Sequence, residues 1–169
     1  MSDAPSAPGA PVPSLGSPER FADAVAWAVR ASIAGGARRI TWVDEDFADW
    51  PLDDPALHAL LAGWLRQPGR RLVLLACSYR DFMQLHPRFT TWRAPWVHAI
   101  DTLSVTPDLA PELPAASYDD GRISMLLVDR THWRGRCSTD PRDAWAVRER
   151  FESLVQRATP DFPVQTLGL

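Results

Sequence analysis

Two kinds of residue cluster in this chain could do chemistry. The first is a run of carboxylates. Asp44, Glu45 and Asp46 follow the β-branched and aromatic stretch Arg39 to Val43, then come Asp49, Asp53 and Asp54, with no basic residue from Asp44 to Asp54. At the carboxyl end of an inner strand, such carboxylates stand where open α/β sheets bind ligands. Their oxygens are the donors that Mg²⁺ takes. With Asp129 at the end of a later strand, Asp44 and Asp46 form the candidate metal set of a metal-assisted hydrolase. Two readings compete with it: an acidic loop whose charge favours the next helix N-terminus, and an acidic face that meets a protein.

The second kind of cluster sets arginine beside aromatic rings. His86-Pro87-Arg88-Phe89 is followed by Trp92 and Arg93. Asp129-Arg130-Thr131-His132-Trp133-Arg134-Gly135-Arg136 holds three further arginines in eight residues. A guanidinium stacks on aromatic faces and forks onto carboxylates or phosphates. The first cluster either pairs with the acidic loop of its own domain or meets an anionic partner; His86 is a general-base candidate or a turn residue before proline. The second is the most basic patch in the chain. It reads as a phosphate or nucleic-acid contact, or as a solvated loop. The candidate binding surface is therefore His86, Arg88, Trp92, Arg93, Arg130, His132, Trp133, Arg134 and Arg136, with no catalytic residue assigned.

Several chemistries are excluded by composition. The chain has 169 residues and no lysine: all 18 basic side chains are arginine, and there are 8 tryptophans. A P-loop needs its lysine on the terminal phosphates, and a Schiff-base enzyme needs an amine nucleophile. No Gly-x-Gly-x-x-Gly, Gly-x-Ser-x-Gly or His-Glu-x-x-His occurs, and no Cys/His pair has zinc spacing. The loss of lysine fits drift in a genome rich in G and C, which also favours Ala, Pro and Trp codons. A net charge of −3 gives no global attraction to nucleic acid or anionic lipid. No cofactor is implied. Cys77 and Cys137 are expected to be free thiols.

Residues 1–16 are mostly Ala, Pro, Ser and Gly without a basic residue, which predicts a flexible leader rather than a secretory signal. No run of about 18 apolar residues exists, so no membrane span is expected. A cytoplasmic protein follows as the expectation, with residues 17–169 as a single α/β domain.

The elements that must position these residues read as follows. Ser17-Pro18-Glu19 starts a helix with Phe21, Val25, Val29 and Ile33 on one face, ended by Gly35-Gly36. Arg39 to Val43 is a strand. Asp54-Pro55 starts a second helix, and Leu72 to Cys77 is an inner strand. Tyr79 to Phe89 predicts a short helix or turn that stops before Pro87. Val97 to Val105 is a third strand, Pro107 to Pro114 a loop, Asp119-Asp120-Gly121 a turn and Ile123 to Val128 a fourth strand. Asp140-Pro141 starts a long last helix, and the tail from Pro160 is extended. The alternation predicts an α/β layer fold with a mixed central sheet flanked by helices.

This order of strands, the His-Pro-Arg segment and the late strand ending in Asp129 resemble one half of the phospholipase D fold. They are similar to an uncharacterised bacterial domain family related to it. That family's motif is His-x-Lys, four residues, then Asp. With its Asp on Asp129, its Lys falls on Ser124 and its His on Arg122, and Gly135 falls near a later glycine. The resemblance, over about Ser17 to Ala158, implies the fold without the covalent phosphohistidine chemistry. Since the parent fold packs two halves together, it also implies a homodimer that buries tryptophans such as Trp92, Trp96 or Trp133. The overall expectation is a non-catalytic binding or scaffolding domain. The alternatives are the metal-assisted hydrolase and an anionic-ligand or nucleic-acid binding module.

Overall fold

Ser17, Asp54 and Asp140 each accept a hydrogen bond from a backbone N–H in the first turn of the helix that follows. Each is followed by proline at the first helical position. These caps satisfy donors that a helix start leaves orphaned, at about 1 kcal/mol each. They fix the starts of α1 (Pro18–Ala34), α2 (Pro55–Leu65) and α5 (Pro141–Arg157). The computed structural model describes residues 11–111 and 113–162.

Between the caps run β1 (Arg39–Val43), β2 (Arg71–Ala76), α3 (Phe82–Leu85), α4 (Pro87–Arg93), a 3₁₀ turn at Ala94–Trp96, β3 (Ile100–Ser104), β4 (Ala116–Asp119), β5 (Ser124–Asp129) and β6 (Arg134–Ser138). The two-residue β7 (Thr159–Pro160) follows α5. The sheet order is β6-β5-β4-β1-β2-β3-β7. β1, β2 and β3 are parallel, while β4, β5, β6 and β7 join antiparallel to their neighbours. The expected mixed sheet flanked by helices is what forms.

Three strands lie outside the sequence expectation. β4 is built from Ala116-Ser117-Tyr118-Asp119, residues of low strand propensity apart from Tyr118. β6 forms from the basic stretch for which the sequence predicts a loop. β7 is the start of the extended tail. Pro87 does not stop the helical segment; it opens α4 as its first residue, the position where proline's missing N–H costs nothing. The third strand begins at Ile100 instead of Val97, because the 3₁₀ turn and the bond from Ala99 N to Trp96 O consume the residues before it.

Alternating side chains divide the core. Trp42, Leu72, Leu74, Met125 and Leu127 point to the thick layer under α1 to α4, with Phe21, Trp64, Phe82 and Phe89. Val43, Leu75, Ala116 and Tyr118 point to the thinner layer under α5, with Val147 and Phe151. The ring of Tyr118 stacks on Phe151 at 6.2 Å. Of the expected leader, residues 1–10 lie outside the described residues. Leu15 packs on the core cluster, so at that residue the leader is docked. The C-terminal end closes the other side: Asp161 N bonds to Thr102 O, and Phe162 packs against Tyr79 and Phe82. Residues 163–169 are outside the described residues. Cys77 and Cys137 are free thiols. No helix among the described residues is long and apolar enough to cross a membrane.

Candidate functional site

β5 runs in the same direction as β1, because the antiparallel β4 lies between them. The carboxyl ends of β1, β2, β3 and β5 therefore share one edge of the sheet. That edge carries Asp44 and Glu45 after β1, Cys77 after β2, and Asp129 and Arg130 at the end of β5. A cleft of about 570 Å³ opens there, lined by Glu45, Arg130 and Arg150 with Pro111, Pro114 and Val128 among its walls.

Asp44 is fully buried. Its Oδ1 accepts from Arg130 Nη2, and its Oδ2 accepts from Phe47 N at 2.7 Å and Asp46 N at 3.2 Å. Burial raises its pKa above the ordinary carboxylate value; Arg130 and the two N–H groups pull the other way and do not outweigh it. The same Arg130 Nη2 donates to Leu113 O at 3.1 Å, which ties the proline-rich loop to the pair. Asp46 Oδ1 accepts from Ala48 N.

Asp129 Oδ1 accepts from Thr131 N and His132 N, and its Oδ2 meets His132 Nδ1 at 2.9 Å. The His132 hydrogen bond, helped by the backbone donors, holds this carboxyl below the usual range. The three metal candidates thus have other partners: one pairs with arginine and two serve their own turns. Among the described residues, no group of three or more His, Cys, Asp or Glu side chains could hold a metal ion. That geometry replaces the expected metal set of Asp44, Asp46 and Asp129 with a structural one.

His86 is buried and its Nε2 lies 2.7 Å from Phe47 O. In the Nε2–H tautomer it donates to that carbonyl. Phe47 sits at φ 61, a left-handed conformation that a phenylalanine rarely adopts. It is held there by Asp44 on its N–H and His86 on its carbonyl. Phe89 N donates to Asp53 Oδ1 at 2.9 Å. The His-Pro-Arg segment therefore does pair with the acidic loop of its own domain, through its imidazole and a backbone N–H and not through arginine.

The nine residues of the candidate binding surface divide accordingly. His86 belongs to the core. Arg93 is half-buried, with its guanidinium 3.9 Å from the ring centroid of Phe162 and a hydrogen bond to Thr102. Trp92 stacks on His58 at 5.1 Å. All three make packing contacts within the protein, and Trp92 and Arg93 remain partly exposed. Arg88 is exposed on α4.

The β5–β6 hairpin holds the remaining five. Trp133, at φ 53, turns its ring inward onto Phe21. Arg130 anchors Asp44. His132, Arg134 and Arg136 are exposed; Arg136 meets Asp143 at 3.0 Å. Trp92, Trp96 and Trp133, expected in a dimer contact, all pack against the protein's own core. The exposed tryptophan is Trp145, at 58%. Arg150 was not singled out by sequence, for nothing local marks it: α5 carries it to the cleft.

No protein-family model and no curated protein matches the chain. Among solved structures, the fold is similar to that of TrmBL2, an archaeal chromatin protein whose structure shows a novel mode of DNA binding. The TM-score is 0.59 at 12% sequence identity, over 90% of this chain and 55% of that one. The chain spans about half the length of that protein, and the likeness is one of fold alone.

Proposed function

We propose that this domain is a non-catalytic binding module that takes an anionic ligand, with a nucleic-acid backbone as the best match, on the exposed edge hairpin β5–β6. One observation carries the reading. His132, Arg134 and Arg136 are all exposed on the edge hairpin, Arg134 in no ion pair among the described residues, while Asp44, Asp46, Asp129 and His86 are each engaged in local or tertiary hydrogen bonds.

Charge is also unevenly spread along the sequence. Between Arg122 and Arg150 there are seven arginines against four carboxylates, whereas Asp44 to Asp54 holds six carboxylates and no base. A protein of net charge −3 can thus present a locally basic face. The DNA binding of TrmBL2, a protein similar in fold, supports the same ligand class.

A hydrolase has less support. In a phospholipase D-like half, Arg122, Ser124 and Asp129 would stand at the motif positions. Arg122 donates to Thr139 O before β5 begins, and Asp129 ends that strand. Arg122 and Ser124 stand where that motif has its nucleophilic His and its phosphate-binding Lys, and neither side chain supplies that chemistry.

Duplex DNA titrated at several salt concentrations tests the proposal. Each phosphate contact adds a slope of about −0.9 to log K against log salt. Replacing both Arg134 and Arg136 by Ala is expected to weaken binding to every sequence alike and to flatten that slope by about two contacts. Flow-through on heparin at low salt, or an unchanged slope in the double variant, would overturn the reading.

A further inference from the structure

The cleft beside the hairpin brings side chains of both charges together. Arg130 Nη2 is committed to Asp44 and Leu113. Its Nη1 and Nε have no partner among the described residues, and about a third of its side chain is exposed where it lines the cleft. Asp44 fixes the guanidinium plane, so this remaining edge is held in place before any ligand arrives. Arg150 lines the same cleft and makes no ion pair among the described residues. Opposite charge is present too. Glu45 is exposed, lines the cleft and accepts no hydrogen bond on its carboxylate from the described residues. Asp129 lines it as well, but both of its oxygens are already taken by its own turn. Pro111, Pro114 and Val128 supply rigid apolar walls.

We infer that the cleft binds a small zwitterion, a free α-amino acid. Its carboxylate would lie on the forked donors of Arg130 and on Arg150, its ammonium on Glu45, and its side chain against the proline and valine walls. A planar carboxylate matches the fork of a guanidinium. A phosphate dianion matches it less well, because Glu45 and Asp129 stand at the same cleft and like charge disfavours it. A simple carboxylic acid leaves Glu45 unanswered, and a simple amine leaves the two arginines unanswered. A volume of about 570 Å³ is ample for an amino acid.

The test is a thermal-shift screen of the whole chain with each of the twenty amino acids, followed by calorimetry on any that bind. N-acetylated amino acids, acetate, butylamine and inorganic phosphate serve as controls. A ligand of the native state raises the melting temperature. At least one amino acid is expected to do so, and its N-acetyl derivative is not. E45Q and R150A alter exposed side chains. Each is expected to lower the affinity about ten- to a hundredfold while leaving the melting temperature without ligand unchanged. Three results would overturn the inference: no shift with any amino acid, equal binding of the N-acetyl form, or phosphate binding more tightly than every amino acid. Retention on heparin is independent of these outcomes, so failure here is distinguishable from failure of the hairpin reading.

Discussion

Arg130 and Asp44, 86 residues apart in sequence, form an ion pair in which the carboxylate is fully buried and the guanidinium is about one-third exposed. The pair fastens the end of β5 to the end of β1. Through Leu113 it also fastens the proline-rich loop. Removing one partner of a buried pair leaves an uncompensated charge, a loss of 3–5 kcal/mol in enclosed cases, and exposure of Arg130 moves the figure toward the lower end at about 3 kcal/mol. R130A is therefore expected to lower the melting temperature by about 6–12 °C. The double variant D44N/R130M has no charge to desolvate and keeps an acceptor for Phe47 N. Urea unfolding should place it nearer to the wild type than R130A.

The pH dependence of the same pair has a definite sign. Burial raises the folded-state pKa of Asp44 above 3.8. Between 3.8 and that raised value, the folded state holds a proton that the unfolded state has released. Stability contributed at this position is therefore fully present below 3.8 and falls as pH rises through the window. Asn does not titrate. The stability of the wild type relative to D44N should decline with rising pH from about 3.8 upward and then level off. A difference that grows with pH would mean that Arg130, not burial, sets the pKa.

Much of this architecture was legible in local chemistry. The caps at Ser17, Asp54 and Asp140 act within a few residues, so their sequence signatures suffice. β1 and β2 are hydrophobic on both faces because they are inner strands, and their runs say so. β4 carries no such signal. Its small residues Ala116 and Ser117 suit a strand enclosed between neighbours, and Tyr118 is placed by Phe151 from α5. β6 is an edge strand whose exposed arginines look like any basic loop. The candidate site was half legible for the same reason. Arg134 and Arg136 lie close in sequence and remain together in space. The partners of Asp44 and His86 are set by tertiary contacts, and Phe47, which joins them, has no sequence mark of its role.

The two thiols offer a chemical check on burial. Burial alone pushes the Cys137 thiol up to about 11. Burial also raises Cys77, which has Glu45 and Asp44 nearby. The thiolate is the reactive form. A rise from 9.0 to about 11 leaves roughly a hundredfold less of it at neutral pH. Ellman's reagent at pH 8 should label neither cysteine quickly in the native protein and both at once in denaturant. Fast native labelling of Cys137 would show that β6 opens readily.

Gly135 determines whether the arginine hairpin closes at all. A Cβ built there lies 2.1 Å from Leu126 O and 2.7 Å from Leu15 Cδ1. The first of these is backbone in the partner strand, so no side-chain movement relieves it; β5 and β6 must part. Overpacking of this kind costs about 1–3 kcal/mol, and here it falls on the strand that carries Arg134 and Arg136. G135A is expected to lower both the melting temperature and the affinity for DNA. Gly63 is the control: it lies within α2, and a Cβ there meets nothing within 4 Å. G63A should raise stability by about 0.5–1 kcal/mol through helix propensity and leave DNA binding as it was. If G135A folds normally but still loses DNA, Leu15 and the leader, not strand separation, take part in the contact.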